Sequence, residues 1–167
     1  MTNAIRILGL DPGLRRTGWG VVAIEGARLS HLAHGVIAPA ERGSLAERLL
    51  TIHQDVGEVI AAWSPHEAAI EETFVTANGA STLKLGHARA AAMLAPAAAG
   101  VPVAEYAAKV VKKALVGTGG ADKAQIAFMV ARLLPGSGGP TQDAADALAV
   151  AICHAHARRA RAIGAAA

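Results

Sequence analysis

Residues 4–13 read Ala-Ile-Arg-Ile-Leu-Gly-Leu-Asp-Pro-Gly, an apolar run that stops abruptly at Asp11-Pro12-Gly13. Short buried strands that run into a turn look like this. Thr17 to Glu25 is a second strand candidate with a turn at Gly26, and Arg28 to Ala38 is a third. Three strands in succession, joined by short turns, predict an antiparallel meander. The period then changes. Ser44-Leu45-Ala46-Glu47 has the spacing of a capping box, and Leu45, Leu49, Ile52, Val56, Val59, Ile60 and Trp63 recur at helical intervals up to Ser64-Pro65. His66 to Thr73 returns to strand. After a loop over Thr76 to Gly79, a helix starts at about Ser81, with Pro96 near its end, and Val101 to Tyr106 is a further strand. Ala107 to Val116 reads as helix, and Gly117 to Gly120 as a flexible loop. Asp122-Lys123-Ala124-Gln125 has capping-box spacing and opens a helix with Ile126, Met129, Val130 and Leu133 on one face. A final helix runs from about Gln142 toward Arg161. The order β-β-β-α-β-α-β-α, with an extra helix near the end, predicts an α/β fold with a mixed sheet covered by helices.

The bulk numbers set limits. A chain of 167 residues suits one domain, expected here over 1–160 with 161–167 as a frayed tail. Hydrophobic content is 53%, but alanine supplies much of it, and no apolar run of about 18 residues lacks a charge or a breaker, so no membrane span is expected. No signal-peptide pattern stands at the start. The one cysteine, Cys153, has no partner for an internal disulfide, which fits a reducing cytoplasm. A net charge of +3 says little by itself.

The acids say more. Asp11 sits where an apolar strand stops, and Glu71 follows Ala69-Ile70 in another. Asp143 and Asp146 are three apart at the start of an Ala-rich helix, and so share a face. Each has an ordinary reading. Asp11 opens an Asp-Pro-Gly turn; Glu71 lies on a strand edge, with Glu72 the inward residue; Asp143 favours a helix N-terminus and Asp146 is solvated. Two acids in buried strands of one small domain nevertheless need a reason, because an unpaired buried charge is costly. Strand ends lie side by side in a sheet, and a helix can lay its first turn across them. Four carboxylates gathered there repel each other unless cations sit between them. Mg²⁺ accepts carboxylate and water oxygens, and two such ions about 3.5–4 Å apart can activate a water and stabilise the leaving oxygen of a phosphodiester. With four acids committed to such a site, nine remain against 16 Lys and Arg, a surface suited to a polyanion. No zinc-spaced Cys/His cluster, Ser/His/Asp pattern or Walker-type loop competes. His154 and His156 read as helix-end cations or surface residues.

In order along the chain stand Ile7-Leu8-Gly9-Leu10-Asp11-Pro12-Gly13, Thr17-Gly18-Trp19-Gly20, Ala69-Ile70-Glu71-Glu72-Thr73-Phe74 and Leu83-Lys84-Leu85-Gly86-His87-Ala88-Arg89. They are followed by Glu105-Tyr106-Ala107, Lys112, Lys123 and Asp143-Ala144-Ala145-Asp146-Ala147-Leu148-Ala149. Over nearly its whole length the chain thus resembles the RuvC family of junction resolvases. The resemblance implies an RNase H-like fold with a five-stranded mixed sheet flanked by helices. It also implies a homodimer, and Mg²⁺- or Mn²⁺-dependent nicking of two like strands across a four-way junction. It maps catalysis and metal binding, two Mg²⁺ per site, onto Asp11, Glu71, Asp143 and Asp146. Some relatives carry His at the position of Asp143, and the residue after Glu71 is often uncharged where this chain has Glu72. A RuvA–RuvB branch-migration complex is the partner the family suggests.

DNA contacts follow from the same resemblance. Phe74 reads either as a core ring under its loop or as a ring that stacks on an unpaired base at the crossover; similar enzymes have an aromatic there. Lys112 and Lys123 are expected near the scissile phosphate or the junction backbone, against the plain reading of a solvated charged face; Arg15 and Arg16 are lesser candidates. The helix after Phe74, rich in Ala and carrying Gly86, packs either on its own sheet or against its copy. Three rivals stand beside the resolvase. An ATP-binding domain of the actin or sugar-kinase type shares the Gly9-x-Asp11-x-Gly13 pattern, but needs two domains around a cleft. An RNase H-like nuclease acting on RNA would share Asp11 and Glu71, and a non-catalytic junction binder would not need the full set of acids.

Overall fold

The computed structural model describes residues 4–73 and 75–165. The meander forms as β1 (Ile5–Asp11), β2 (Thr17–Glu25) and β3 (Arg28–Ile37). After α1 (Leu45–Trp63) come β4 (Glu67–Glu71), α2 (Gly79–Ala98), β5 (Val103–Tyr106), α3 (Ala108–Val116), α4 (Lys123–Leu133), a 3₁₀ turn at Pro135–Ser137, and α5 (Gln142–Gly164). The sheet has the order β3-β2-β1-β4-β5. The meander is antiparallel, while β1–β4 and β4–β5 are parallel, so the sheet is mixed, as expected. β1 is therefore the central strand, and the crossovers back to β4 and β5 run through helices.

Capping fixes the helix starts. Ser44 accepts from the Glu47 backbone while the Glu47 side chain accepts from the Ser44 backbone, and Asp122 and Gln125 do the same for α4. At the far end of α1, Ser64 takes a left-handed conformation (φ 44°) just before Pro65. Helix α2 starts two residues earlier than the sequence suggests, because the Asn78 side chain accepts from the Ser81 backbone and caps it. Helix α5 continues past Arg161 to Gly164.

Each face of the sheet carries its own core. Leu8, Leu10, Val21 and Ile70 pack with Ile52, Val56 and Ile60 of α1 and with the alanines of α2. Ile7, Val22 and Ala69 pack on the other face with α5, α3 and α4. Helix α5 is buried nearly all round from Ala144 to Ala155, which is why its sequence is apolar on every side rather than striped. Its alanines let it lie close to the sheet. A Cβ on Gly9 would sit 2.1 Å from the Ala147 carbonyl oxygen, so α5 crosses β1 where the strand has no side chain on that face.

Buried polar groups in this region are paired. His154, expected at a helix end or on the surface, is instead buried, with Nδ1 2.9 Å from the Tyr106 hydroxyl and Nε2 2.7 Å from Glu67, which also accepts from Arg158 at 2.8 Å. A helix wrapped on all sides leaves no water for a polar side chain, so a partner from the sheet must satisfy it. No helix among the described residues is long and apolar enough to cross a membrane.

Candidate active site

Asp11 is the last residue of β1 and Glu71 the last of β4. The two strands run parallel with Leu10 opposite Ile70, so Asp11 and Glu71 occupy adjacent ends of neighbouring strands. Glu71 lines the cavity that Asp11 enters, while Glu72 is exposed and borders a smaller neighbouring cavity with the same two acids. Helix α5 brings Asp143 and Asp146 to the same corner. A Cβ on Gly18, the antiparallel partner of Asp11, would lie 1.9 Å from the Asp143 carbonyl oxygen. The missing side chain is what lets the first turn of α5 settle on the β1–β2 end.

Asp11, Glu71 and Asp146 line one cavity of about 270 Å³ together with Lys112 and Lys123. Lys112 comes from α3 and Lys123 from the first turn of α4, and the Lys123 ammonium stands 4.0 Å from Asp146. Asp143 borders the site but turns away to Arg16, whose Nε donates to Oδ2 at 2.6 Å. The two acids of α5, three apart on one helix, thus meet different cations, Asp143 the Arg16 guanidinium and Asp146 the Lys123 ammonium. As these side chains stand, no three His, Cys, Asp or Glu among the described residues converge to ligate one ion together. Phe74 lies outside the described residues.

Electrostatics tie the four acids together more closely than their poses do. Burial pushes the Asp11 carboxyl up to about 7, and Glu71, Asp146 and Asp143 add to the shift, while Lys123 opposes it. Glu71 is raised by burial and by Asp146, against Lys112 and Lys123. Asp146 is raised by burial and by Asp143, against the same two lysines. Three acids that all hold protons too tightly, in one cavity, form a donor set that a hard divalent cation relieves, and the residues fit such an ion. Carboxylate oxygens without Cys or His favour Mg²⁺ or Mn²⁺ over Zn²⁺.

Two residues around the acids hold the site in shape. Arg89 of α2 donates from Nε to the Glu71 carbonyl oxygen at 2.9 Å and forms an ion pair with Glu105 of β5. It thereby pins the end of β4. Arg16, weighed in the sequence only as a DNA contact, is the direct partner of Asp143. Neither role shows as a local spacing, because the Arg89–Glu71 and Arg16–Asp143 partners lie 18 and 127 residues apart.

A family model described as crossover junction endodeoxyribonuclease RuvC matches residues 7–154. A protein of that name from Maricaulis maris is 64% identical over 167 residues, covering all of both chains. One from Caulobacter sp. strain K31 is 66% identical over 154 residues, 92% of this chain and 91% of its own. Among solved structures, T. thermophilus RuvC in complex with Holliday junction substrate superposes with a TM-score of 0.87 at 36% identity, covering 94% of this chain and 96% of its own. The yeast mitochondrial Holliday junction resolvase Ydc2, at 13% identity and a TM-score of 0.66, shares the fold. The mixed sheet and its helices are thus RNase H-like.

Proposed function

Because the chain belongs to the RuvC family of crossover junction endodeoxyribonucleases, we propose that its carboxylate cavity hydrolyses phosphodiesters at the crossover of a four-way DNA junction. It is a divalent-metal-dependent endonuclease that resolves Holliday junctions in recombination and repair. The observation that carries the residue assignment is the meeting of Asp11, Glu71 and Asp146, from three distant segments, on one cavity rimmed by Lys112 and Lys123.

Asp11, Glu71, Asp143 and Asp146 would hold the metal, which we take to be two Mg²⁺ ions, with Mn²⁺ able to substitute. When bound, such ions supply an activated water and stabilise the leaving oxygen. Asp11, on the central strand, sets the fixed point around which the other three acids are arranged. Asp143 must leave Arg16 to join them, a side-chain rotation rather than a change of fold. Lys112 and Lys123 attract the phosphate across a cavity that otherwise repels it. Phe74, three residues beyond Glu71, would stack on an unpaired base at the crossover; Phe74→Ala is expected to keep the fold and weaken cleavage, and full-rate resolution by that variant would remove this role.

Resolution needs two symmetric cuts, which two copies related by a two-fold axis supply. Helix α2 uses Ala88, Ala91, Ala92 and Ala95 to pack on its own chain and leaves Leu83 and Leu94 exposed, with open space above Gly86, a face suited to its copy. The site of action would be the cytoplasm, with a RuvA–RuvB complex supplying mobile junctions.

The test is a synthetic mobile four-way junction set beside linear duplex and structured RNA, over a Mg²⁺ titration. Paired nicks in opposed like strands of the junction, and none without metal, are expected. Equal cutting of structured RNA would move the reading to an RNA nuclease, and binding without nicking at any metal concentration to a non-catalytic junction binder.

A further inference from the structure

On the other side of Asp143 from the carboxylate cavity lies a second cleft, of about 540 Å³, with no role in the chemistry above. Its charged and polar walls are Arg15 and Arg16 from the β1–β2 turn, Arg48 from α1, Ser81 and Lys84 from α2, and Asp143 itself. Four cations face one carboxylate, and that carboxylate is the one engaged by Arg16. Among the described residues, Arg15, Arg48 and Lys84 have no acidic partner. Arg48 reaches across to the turn, donating from Nη2 to the Leu14 carbonyl oxygen at 2.9 Å, and its Nε is buried without a hydrogen-bond partner. Cations from three separate segments, one of them with a buried unused donor, make a built concavity for an anion rather than a solvated charged face.

We propose that this cleft seats a backbone phosphodiester of the bound DNA, adjacent along the strand to the phosphate in the carboxylate cavity, and that Arg16 is shared between Asp143 and that phosphate. The proposal rests on the nuclease reading and adds a second anchor to it. Its physical basis is charge. The carboxylate cavity repels a phosphate, and a cationic cleft on its border offsets that repulsion and fixes the register of the strand without reading a base. Arg16 is half exposed and bound to Asp143 through its Nε, so its guanidinium can turn to the phosphate when Asp143 turns to the metal site.

The experiment is equilibrium binding of a four-way junction by the full chain in EDTA over a range of salt concentrations, comparing wild type with Lys84→Ala and Arg15→Ala, both exposed positions. Each variant is expected to reduce the slope of log affinity against log salt by about 0.9, one phosphate contact. A neutral methylphosphonate is then walked along the strand next to the cleavage point. At one position it should reduce the wild-type slope by the same amount and cause no further loss in Lys84→Ala. Unchanged slopes in both variants, or losses that add to the Lys84→Ala loss at every position, would overturn the proposal. Wild-type nicking of the same junction is measured in parallel: nicking with unchanged slopes removes the cleft alone, while no nicking at any metal concentration removes the nuclease reading and the cleft together.

Discussion

Gly18 and Asp143 meet backbone to backbone, with no room for a Cβ between Gly18 and the Asp143 carbonyl oxygen 1.9 Å from where that carbon would lie. Gly18 is also the cross-strand partner of Asp11. One absent side chain thus sets the distance between the end of the central strand and the helix that carries half of the acids.

Gly18→Ala must therefore push the start of α5 away from β1. The obstacle is main chain, which cannot rotate aside, so the expected cost is about 1–3 kcal/mol of stability by chemical denaturation. Nicking should fall further than stability explains, by about 100-fold, because the α5 acids move on the scale of an ångström relative to Asp11 and Glu71. Near-normal cleavage by a folded Gly18→Ala protein would show that the α5 acids need no such seating.

The raised Asp11 carboxyl gives a pH signature. Its folded value, about 7, lies above the ordinary 3.8, so the folded state holds a proton that the unfolded chain has lost between those values. Stability without metal should therefore decline as pH rises from about 4 to 7, and Asp11→Asn should exceed wild type above pH 7 by on the order of 1–3 kcal/mol. Denaturation curves at pH 5 and pH 8 in EDTA measure this. Cleavage at limiting metal should rise with pH through about 7, and saturating metal should move that rise to lower pH, since the ion displaces the proton.

Arg89 touches Glu71 only through the backbone, so it acts as a positioning residue. Arg89→Gln should cost about 1–3 kcal/mol through the lost charged hydrogen bonds. It should lower kcat more than KM, with junction binding in EDTA unchanged. Loss of junction affinity instead would place Arg89 in contact with DNA.

Arg16 holds Asp143, one of the acids proposed to bind the metal. In the absence of DNA, Arg16→Ala should bind Mn²⁺ more tightly than wild type by calorimetry, because Asp143 no longer has to break an ion pair to reach the ion. With DNA present, the same variant should bind junctions more weakly. Equal Mn²⁺ affinity would mean that Asp143 does not join the metal site.

Much of the sheet was legible because period carries it. The 4–13 run, the Thr17–Glu25 strand and the capping boxes at Ser44 and Asp122 are local patterns, and local patterns survive folding. Asp11 and Glu71 were legible for a related reason: an acid at the end of an apolar strand contradicts its own surroundings. What escaped was pairwise and distant. The Arg16–Asp143 ion pair spans 127 residues and the His154–Glu67 contact 87, and no window along the chain contains both partners. Helical spacing placed Asp143 and Asp146 on one face, but it could not show that Arg16 holds the first and Lys123 approaches the second. The burial of His154 depends on α5 being wrapped by sheet and helices together, which its alanine-rich sequence permits without announcing.

The most direct measurement pairs Mn²⁺ calorimetry with nicking of a mobile four-way junction, for wild type beside Asp11→Asn. If the four carboxylates hold the ions that cut DNA, wild type nicks only with metal, and Asp11→Asn still binds the junction in EDTA while losing both tight metal binding and nicking. Wild-type cleavage in EDTA, or cleavage by Asp11→Asn at the wild-type rate, would contradict the account.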